Sequence, residues 1–387
     1  MFDLSLVQHQ RIAIFGTGLF GVRCMYDLQK RGIHIDFFLD NNCKIHSFCY
    51  LPVYELDSDK IKNLFIIVAT NEQTYAIVSE QLSEMGLEEF SDYIFFPWIK
   101  KKVVLLHGNC HLDVIEEYLK SSGKFQKEYA VYPNPRICNN KEHRIEDYIL
   151  SNCDVWIHED IREDNSFGYY LSDQYIRSKI KNGAMDITIP HLFGLGKAFF
   201  PQSEYNKNNM SIFNSNDLNG MFPHADVVID RCVQEGKTTD EIYLFTQSNR
   251  ALDEEYIYNN FNLYMNKIRK REKCWDIKIY DFIMAHYKTE KLFYDFGHPT
   301  NVVLKKIAIG ILEKLNIFDE DIVAQNQLNQ HETPVYPIVK KCLEMTWEEK
   351  EIRKGERCKK VEETMDFKEY VREYIWWCYT LRNQENG

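Results

Sequence analysis

At 387 residues, with 44% hydrophobic and 27% charged side chains, the chain is long enough for more than one core and too apolar to be disordered. Its formal charge of -11 at pH 7 excludes broad binding to a nucleic-acid backbone and leaves room only for a local basic pocket that takes a phosphate. The opening "MFDLSLVQHQR" lacks the basic and apolar blocks of a signal peptide, and no apolar run reaches the about 18 residues of a membrane span, so a cytoplasmic protein without a transmembrane segment is expected.

The 11 cysteines are scattered singly, with no CxxC pair, which fits neither a disulfide framework nor a zinc ribbon. Most are read as small buried hydrophobes.

In chain order, "RIAIF" (11–15) predicts a strand, followed by "GTGLFG" and a helix whose apolar positions Val22, Met25, Tyr26 and Leu28 suit one face. "IHIDFFLDNN" and "NLFIIVAT" predict further strands, with a helix through "EQTYAIVSEQLSEMG". This alternation predicts a parallel sheet with crossover helices. "SDYIFFPWIKKK" reads as the exit from a first domain over 1–100. A second domain over 101–325 alternates again, with strands at "VVLL", "KEYAVYP", "DVWIHE" and "DITIPHLF". Residues 202–240, rich in Asn and Ser, predict loop and short helical excursions, and "WDIKIYDFIM" a β-like segment. The remainder, 326–387, predicts a helical extension. Within it Phe367, Tyr370, Val371, Tyr374, Ile375, Cys378 and Leu381 recur at i, i+3, i+4 spacing, read first as packing on their own domain and second as the face of a homo-oligomer. The expected fold class is therefore α/β, with two doubly wound parallel-sheet domains and a helical C-terminal extension.

Two sites carry chemistry. Gly16, Gly18 and Gly21 form G-x-G-x-x-G between a strand and a helix, the context in which missing side chains allow a tight turn, a close approach to phosphate and close helix packing. Asp40 ends the next strand, where a carboxylate can hold ribose hydroxyls. Residues 11 to about 95, through "IFGTGLFG", "FFLDNN" and "FIIVAT", resemble the small Rossmann-like N-terminal domain of PglD-type sugar O-acyltransferases, which implies a nucleotide-sugar ligand, with NAD(P) as the alternative.

The second site is "VVLLHGNCH". Cys110 stands where a strand meets a helix, and helix-start amides lower a thiol pKa and stabilise an oxyanion. Downstream, "LFYDFGHPTN" places Asp295 three residues before His298, a spacing that lets a carboxylate orient an imidazole. His107 and His111 are four apart, but no HExxH accompanies them, so no metal is assigned. "EGKTTD" lacks the first glycine of a P-loop.

Gly-Asn-Cys at the first strand end, with D-x-x-H near the last, resembles SGNH-type hydrolases with cysteine in place of the nucleophilic serine. "HGNCH" and "DFGHPTN", over about residues 102–312, resemble the WcbI-type polysaccharide-biosynthesis acetyltransferase family, which has an SGNH-like fold and binds coenzyme A. The resemblance implies Cys110, Asp295 and His298 as catalytic residues and coenzyme A or acetyl-CoA as acyl donor. Gly108, Asn109, His111, His158 and His191 are the candidate coenzyme A contacts. The family has glutamine where His111 stands. Arg136 and Lys197 are read first as solvated surface charges and second as phosphate partners. The implied reaction is transfer of an acetyl group to the hydroxyl of a sugar or nucleotide-sugar in capsule or other surface-polysaccharide synthesis. A carbohydrate esterase and a non-catalytic nucleotide-sugar binder are the alternatives.

Overall fold

The computed structural model of the chain describes residues 11–42, 44–57, 61, 63–132, 134, 136, 137, 144, 145, 147–205, 222, 224–325, 328, 329, 332–348, 352, 353 and 364–385. They fall into two compact units, Met1–Leu112 with Ser122–Ile187, and Asp113–Ser121 with Thr188–Gly387.

The first unit begins with β1 (Arg11–Phe15), α1 (Leu19–Lys30), β2 (Phe37–Leu39), β3 (Ser47–Phe48), β4 (Leu51–Tyr54), β5 (Leu64–Val68), α2 (Glu72–Glu84) and β6 (Tyr93–Phe95). The strand order is β3-β4-β2-β1-β5-β6, parallel throughout except for the β3–β4 pair. All five residues of β5 are buried, as a central parallel strand covered on both faces requires. Each such Ile or Phe contributes about 1.5–3 kcal/mol on leaving water. The β3–β4 hairpin is absent from the sequence reading. Its turn residues Cys49 and Tyr50 sit at φ of 48° and 68° without glycine or asparagine to signal it.

Helix α1 corrects the expected face. Gly21, Cys24 and Leu28 are buried, whereas Val22 and Tyr26 are exposed. Rotation about the helix axis is set by Gly21, whose added Cβ would lie 2.1 Å from Gly16 O, so this glycine rather than an apolar stripe must face the sheet.

The same unit continues through β7 (Lys102–His107), the start of α3 (His111–Ser121), α4 (Gly123–Glu128), β8 (Tyr129–Tyr132), α5 (Asp147–Asn152), β9 (Cys153–Glu159), α6 (Asp173–Lys179) and most of β10 (Met185–Ile189). This sheet runs β10-β9-β7-β8, with β7 parallel to both neighbours. The fold is α/β with parallel sheets. Both sheets contribute to one core, in which Phe65 and Ile67 of the first join Val103, Leu105 and Trp156 of the second.

The second unit holds most of α3 and then β11 (Ser203–Tyr205), β12 (His224–Asp226), α7 (Val227–Gln234), α8 (Thr239–Thr246), α9 (Glu254–Arg271), α10 (Tyr280–His286), α11 (Asn301–Lys314), α12 (Pro337–Cys342), β13 (Ile352–Arg353), β14 (Thr364–Met365) and α13 (Phe367–Glu385). Two expectations change here. Within 202–240, an antiparallel β11–β12 pair is added to the expected short helices; residues 206–221 and 223 lie outside the described residues. In "WDIKIYDFIM" the second half is helix α10. Glu272 Oε1 accepts the N–H groups of Ile279 and Tyr280 at 2.7 and 3.1 Å, capping that helix where a strand would need the same donors.

"EGKTTD" becomes a helix-to-helix turn: Gly236 ends α7 at φ 74°, and Thr238 with Glu241 forms the capping box of α8. Tyr370, Val371, Tyr374 and Ile375 of α13 pack on Ile229, Cys232 and Ile242 of α7 and α8, so the stripe covers its own unit. The side chains of Cys378 and Leu381 lie outside the described residues. Among the described residues no helix is long and apolar enough to cross a membrane.

Candidate active site

In the first unit, β7 delivers His107 opposite His158 of β9, and the chain then turns through Gly108, Asn109 and Cys110 into α3. Gly108 has no room for a side chain: an added Cβ would meet Leu112 Cδ1 at 2.9 Å and Glu159 Cγ at 3.0 Å. Asn109 Oδ1 accepts the His111 N–H at 2.9 Å, a local turn that satisfies an orphan donor at the helix start. Cys110 is half-buried and outside any disulfide.

The flanking histidines have different lives. His107 is fully buried and donates from Nε2 to Leu171 O at 2.8 Å; burial pushes its pKa down to about 4, so it is a neutral strut. His111 is also buried, with Nδ1 3.7 Å from Glu159 Oε1, itself fully buried.

Arg136 corrects the surface reading. It is 6% exposed and donates from Nη1 to Asn134 O at 3.3 Å. Its segment is laced to the corner by Ile137 N–H on Gly108 O at 3.0 Å and by Asn134 Nδ2 on Leu106 O at 3.0 Å. A buried arginine therefore lies in the segment that is bonded to Gly108 and Leu106.

In the second unit, Asp295 and His298 occupy the tip of a short hairpin closed by Tyr294 N–H on His298 O at 2.9 Å and by the Phe293–Pro299 bridge. Asp295 Oδ1 accepts the N–H groups of Gly297 and His298 at 2.6 and 2.8 Å, and Oδ2 accepts His298 Nδ1–H at 2.9 Å. Asp295 is fully buried. Burial alone would raise its pKa, but the imidazoles of His298 and His224 hold it well below the usual carboxylate range. With Nδ1–H committed to the carboxylate, Nε2 carries the imidazole lone pair, and His298 keeps 30% of its side chain exposed.

A family profile described as polysaccharide biosynthesis enzyme WcbI matches residues 103–320, more than half of the chain. The chain belongs to this WcbI family. A solved structure of WcbI, described as a novel polysaccharide biosynthesis enzyme in its native form without a disulfide bond between coenzyme A and one of its cysteines, is 16% identical with a TM-score of 0.59. The alignment covers 72% of this chain and 89% of that one. At that identity the likeness shows a shared fold. Among curated proteins no sequence matches.

The WcbI-family stretch also contains a residue that motif reading missed. His224 Nε2 lies 3.4 Å from Asp295 Oδ2, and its ring rests on Phe296 with centroids 4.0 Å apart. Ligating atoms of His224, Asp295 and His298 lie within 4.8 Å of one another, as a metal set would. The carboxylate is nevertheless already met by three N–H donors, the arrangement of an acid-imidazole pair.

The other expected contacts have these surroundings. His191, half-buried, follows β10 in the second unit. Lys197 pairs with Glu204, its Nζ 3.9 Å from Oε1. His158 Nδ1 stands 2.9 Å from Glu159 O, and two carboxylates flank the ring. Its Nε2 meets Asp186 Oδ1 at 2.8 Å and its Nδ1 meets Asp173 Oδ1 at 3.2 Å. Burial alone would depress its pKa, but the two carboxylates outweigh that and raise it from 6.5 to about 9.

Because this folded value lies above the unfolded one, the His158 cation contributes stability fully below pH 6.5, and the contribution is lost as pH rises through about 9. Its size is on the order of 3 kcal/mol. Urea midpoints at pH 6 and above 9 should therefore differ more for the native chain than for Asp186→Asn. Equal differences would remove this ion pair as the cause.

The glycine motif of the first unit is built as expected in part. Gly16 has φ 110°, and an added Cβ would lie 2.6 Å from Ala69 O, whereas Gly18 faces open space at the N-terminus of α1. Asp40 is turned inward: its Oδ2 accepts the N–H and hydroxyl of Thr17 at 2.9 and 2.6 Å, tying β2 to the loop.

Proposed function

We propose that this member of the WcbI family is a coenzyme A-dependent acyltransferase that moves an acetyl group to a sugar hydroxyl in surface-polysaccharide synthesis. The observation that carries this reading is the Asp295–His298 pair: a buried, ionised carboxylate holding Nδ1–H of a part-exposed imidazole, the equipment of a general base. His298 takes the proton of the sugar hydroxyl as its oxygen attacks the thioester carbonyl. The C–S bond then breaks, and the departing thiolate takes the proton back from the imidazolium.

Cys110 is assigned the thiol end of coenzyme A, with Gly108, Asn109, His111 and buried Arg136 around the same turn. The description of the WcbI structure names a disulfide between coenzyme A and one of its cysteines as absent from that native form, and so mentions the two groups together, which is the support for this assignment. We assign residues 101–325 to an SGNH-like acyltransferase domain and 1–100 to a Rossmann-like domain whose open Gly18 suits a nucleotide-sugar or NAD(P) phosphate. The extension is 326–387.

Calorimetric titration of the full chain with coenzyme A tests the donor. Micromolar binding, weakened in Cys110→Ala, is expected. Absence of binding by coenzyme A and acetyl-CoA, with ester hydrolysis that ignores both, would replace this reading by a carbohydrate esterase. Near-complete loss of transfer in Cys110→Ala would indicate an acyl-cysteine route, and a modest loss direct transfer.

A further inference from the structure

The Asp295–His298 hairpin and the strand carrying His224 are separate limbs of the second unit, and a short segment outside the family match ties both. On the hairpin side, Thr333 N–H donates to Tyr294 O at 2.9 Å, and Lys291 Nζ meets Glu332 Oε2 at 2.8 Å. On the other side, Gln202, next to β11, donates from Nε2 to Pro334 O at 2.9 Å. The Tyr336 hydroxyl lies 2.9 Å from each oxygen of Asp226, two residues beyond His224 in β12. Asp226 also caps α7 through the N–H groups of Val228 and Ile229, both at 3.1 Å, and its own N–H donates to the Tyr374 hydroxyl of α13 at 2.9 Å. Tyr336 is fully buried, as are Gln202 and, almost so, Thr333 and Asp226. Within 332–336, Glu332 and Thr333 grip the hairpin while Pro334 and Tyr336 grip the β11–β12 side, so this strap joins the limb of Asp295 to that of His224.

From this geometry we infer that His224 is the second imidazole of the base, and that Tyr336 is a positioning residue that holds it against the carboxylate shared with His298. The inference rests on the proposed role of His298 and extends it to residues beyond 320, where the family match ends. Asp295 has two imidazole neighbours, His298 on its own hairpin and His224 on β12. Asp226, on the far side, faces Asp230 and Tyr336. As a cation, His224 repels a proton on His298. As a neutral donor, it draws charge from the oxygen that supports His298 Nδ1–H. Either way His224 makes His298 a weaker base, and loosening it makes His298 a stronger one. A buried Asp226 whose pKa burial raises to about 7 makes the Tyr336 hydroxyl the natural partner for holding β12 in place.

The test reads the histidine rings directly and needs no substrate. Nitrogen-15 NMR titration of the full chain follows His298 in the native protein, Tyr336→Phe and His224→Asn. An upward shift of His298 by roughly half a pH unit or more is expected in both variants. A purely structural role for Tyr336 would lower stability without moving that titration. His298 titrating in His224→Asn as it does in the native chain would overturn the inference, and this variant stands if Tyr336→Phe fails to fold. Loss of coenzyme A binding would strike the proposed reaction alone, whereas an unmoved His298 titration would strike the strap.

Discussion

Acetyl transfer is expected to fall by about 10^2- to 10^4-fold in His298→Ala, the range by which a positioned general base accelerates proton transfer. The structure explains why the main chain around it should keep its course. The side chain is 30% exposed, and the hairpin that carries it is closed by main-chain bonds that do not involve the ring. Asp295→Asn should cost a comparable factor for a different reason. The amide keeps the shape but loses the charge that stabilises the imidazolium, and its NH2 group favours the tautomer with the lone pair on Nδ1, turned away from the substrate. Asp295 Oδ1 also accepts two N–H groups, and His298 helps hold the buried carboxylate ionised, so both variants should lose some stability. Turnover with acetyl-CoA and a sugar acceptor, alongside denaturation midpoints, separates these effects. A His298→Ala protein that keeps more than about a tenth of native turnover would remove His298 as the base.

What could be read in the sequence was what is local in it. The glycine motif, the Gly-Asn-Cys corner and D-x-x-H are each contained within a few residues, and the turn or helix start that gives them meaning lies in the same stretch. His224 had no such signal. It borders an Asn- and Ser-rich stretch far ahead of Asp295 in the chain, and becomes relevant only because β12 carries it to 3.4 Å from that carboxylate. Arg136 was misread because its type predicts exposure; its burial goes with the bonds that Ile137 N–H makes to Gly108 O and the Asn134 side-chain amide makes to Leu106 O of β7. For His158, strand position alone suggested a site, and its ion pairs with Asp173 and Asp186, distant in sequence, carried no signal. The face of α1 was misassigned because hydrophobicity was weighed and the close approach of Gly21 to Gly16 was not. In each case the deciding partner is non-local, and composition and periodicity do not contain it.

The turn after β10 places a glycine against the base, and there the cost of one methyl group should be large. Gly196 lies in a short helical turn over Leu195–Ala198, and a Cβ on it would stand 2.3 Å from Asp295 O, 2.9 Å from Phe296 Cα and 3.0 Å from Phe293 Cδ1. Two of these neighbours are backbone atoms of the Asp295–His298 hairpin, which cannot rotate away. Gly196→Ala must therefore displace the hairpin, lowering stability by about 3 kcal/mol and moving His298 enough to cost about 10^2 in turnover. Gly297 supplies the contrast. A Cβ there would meet only the Phe193 ring closely, at 2.9 and 3.1 Å, and that ring is 42% exposed and able to swing aside. Gly297→Ala should cost less than about 1 kcal/mol, although Gly297 is in the motif and Gly196 is not. Urea denaturation of the two variants side by side decides the matter. Equal midpoints would mean that the hairpin does not rest on Gly196, and that the base is held from the 332–336 side alone.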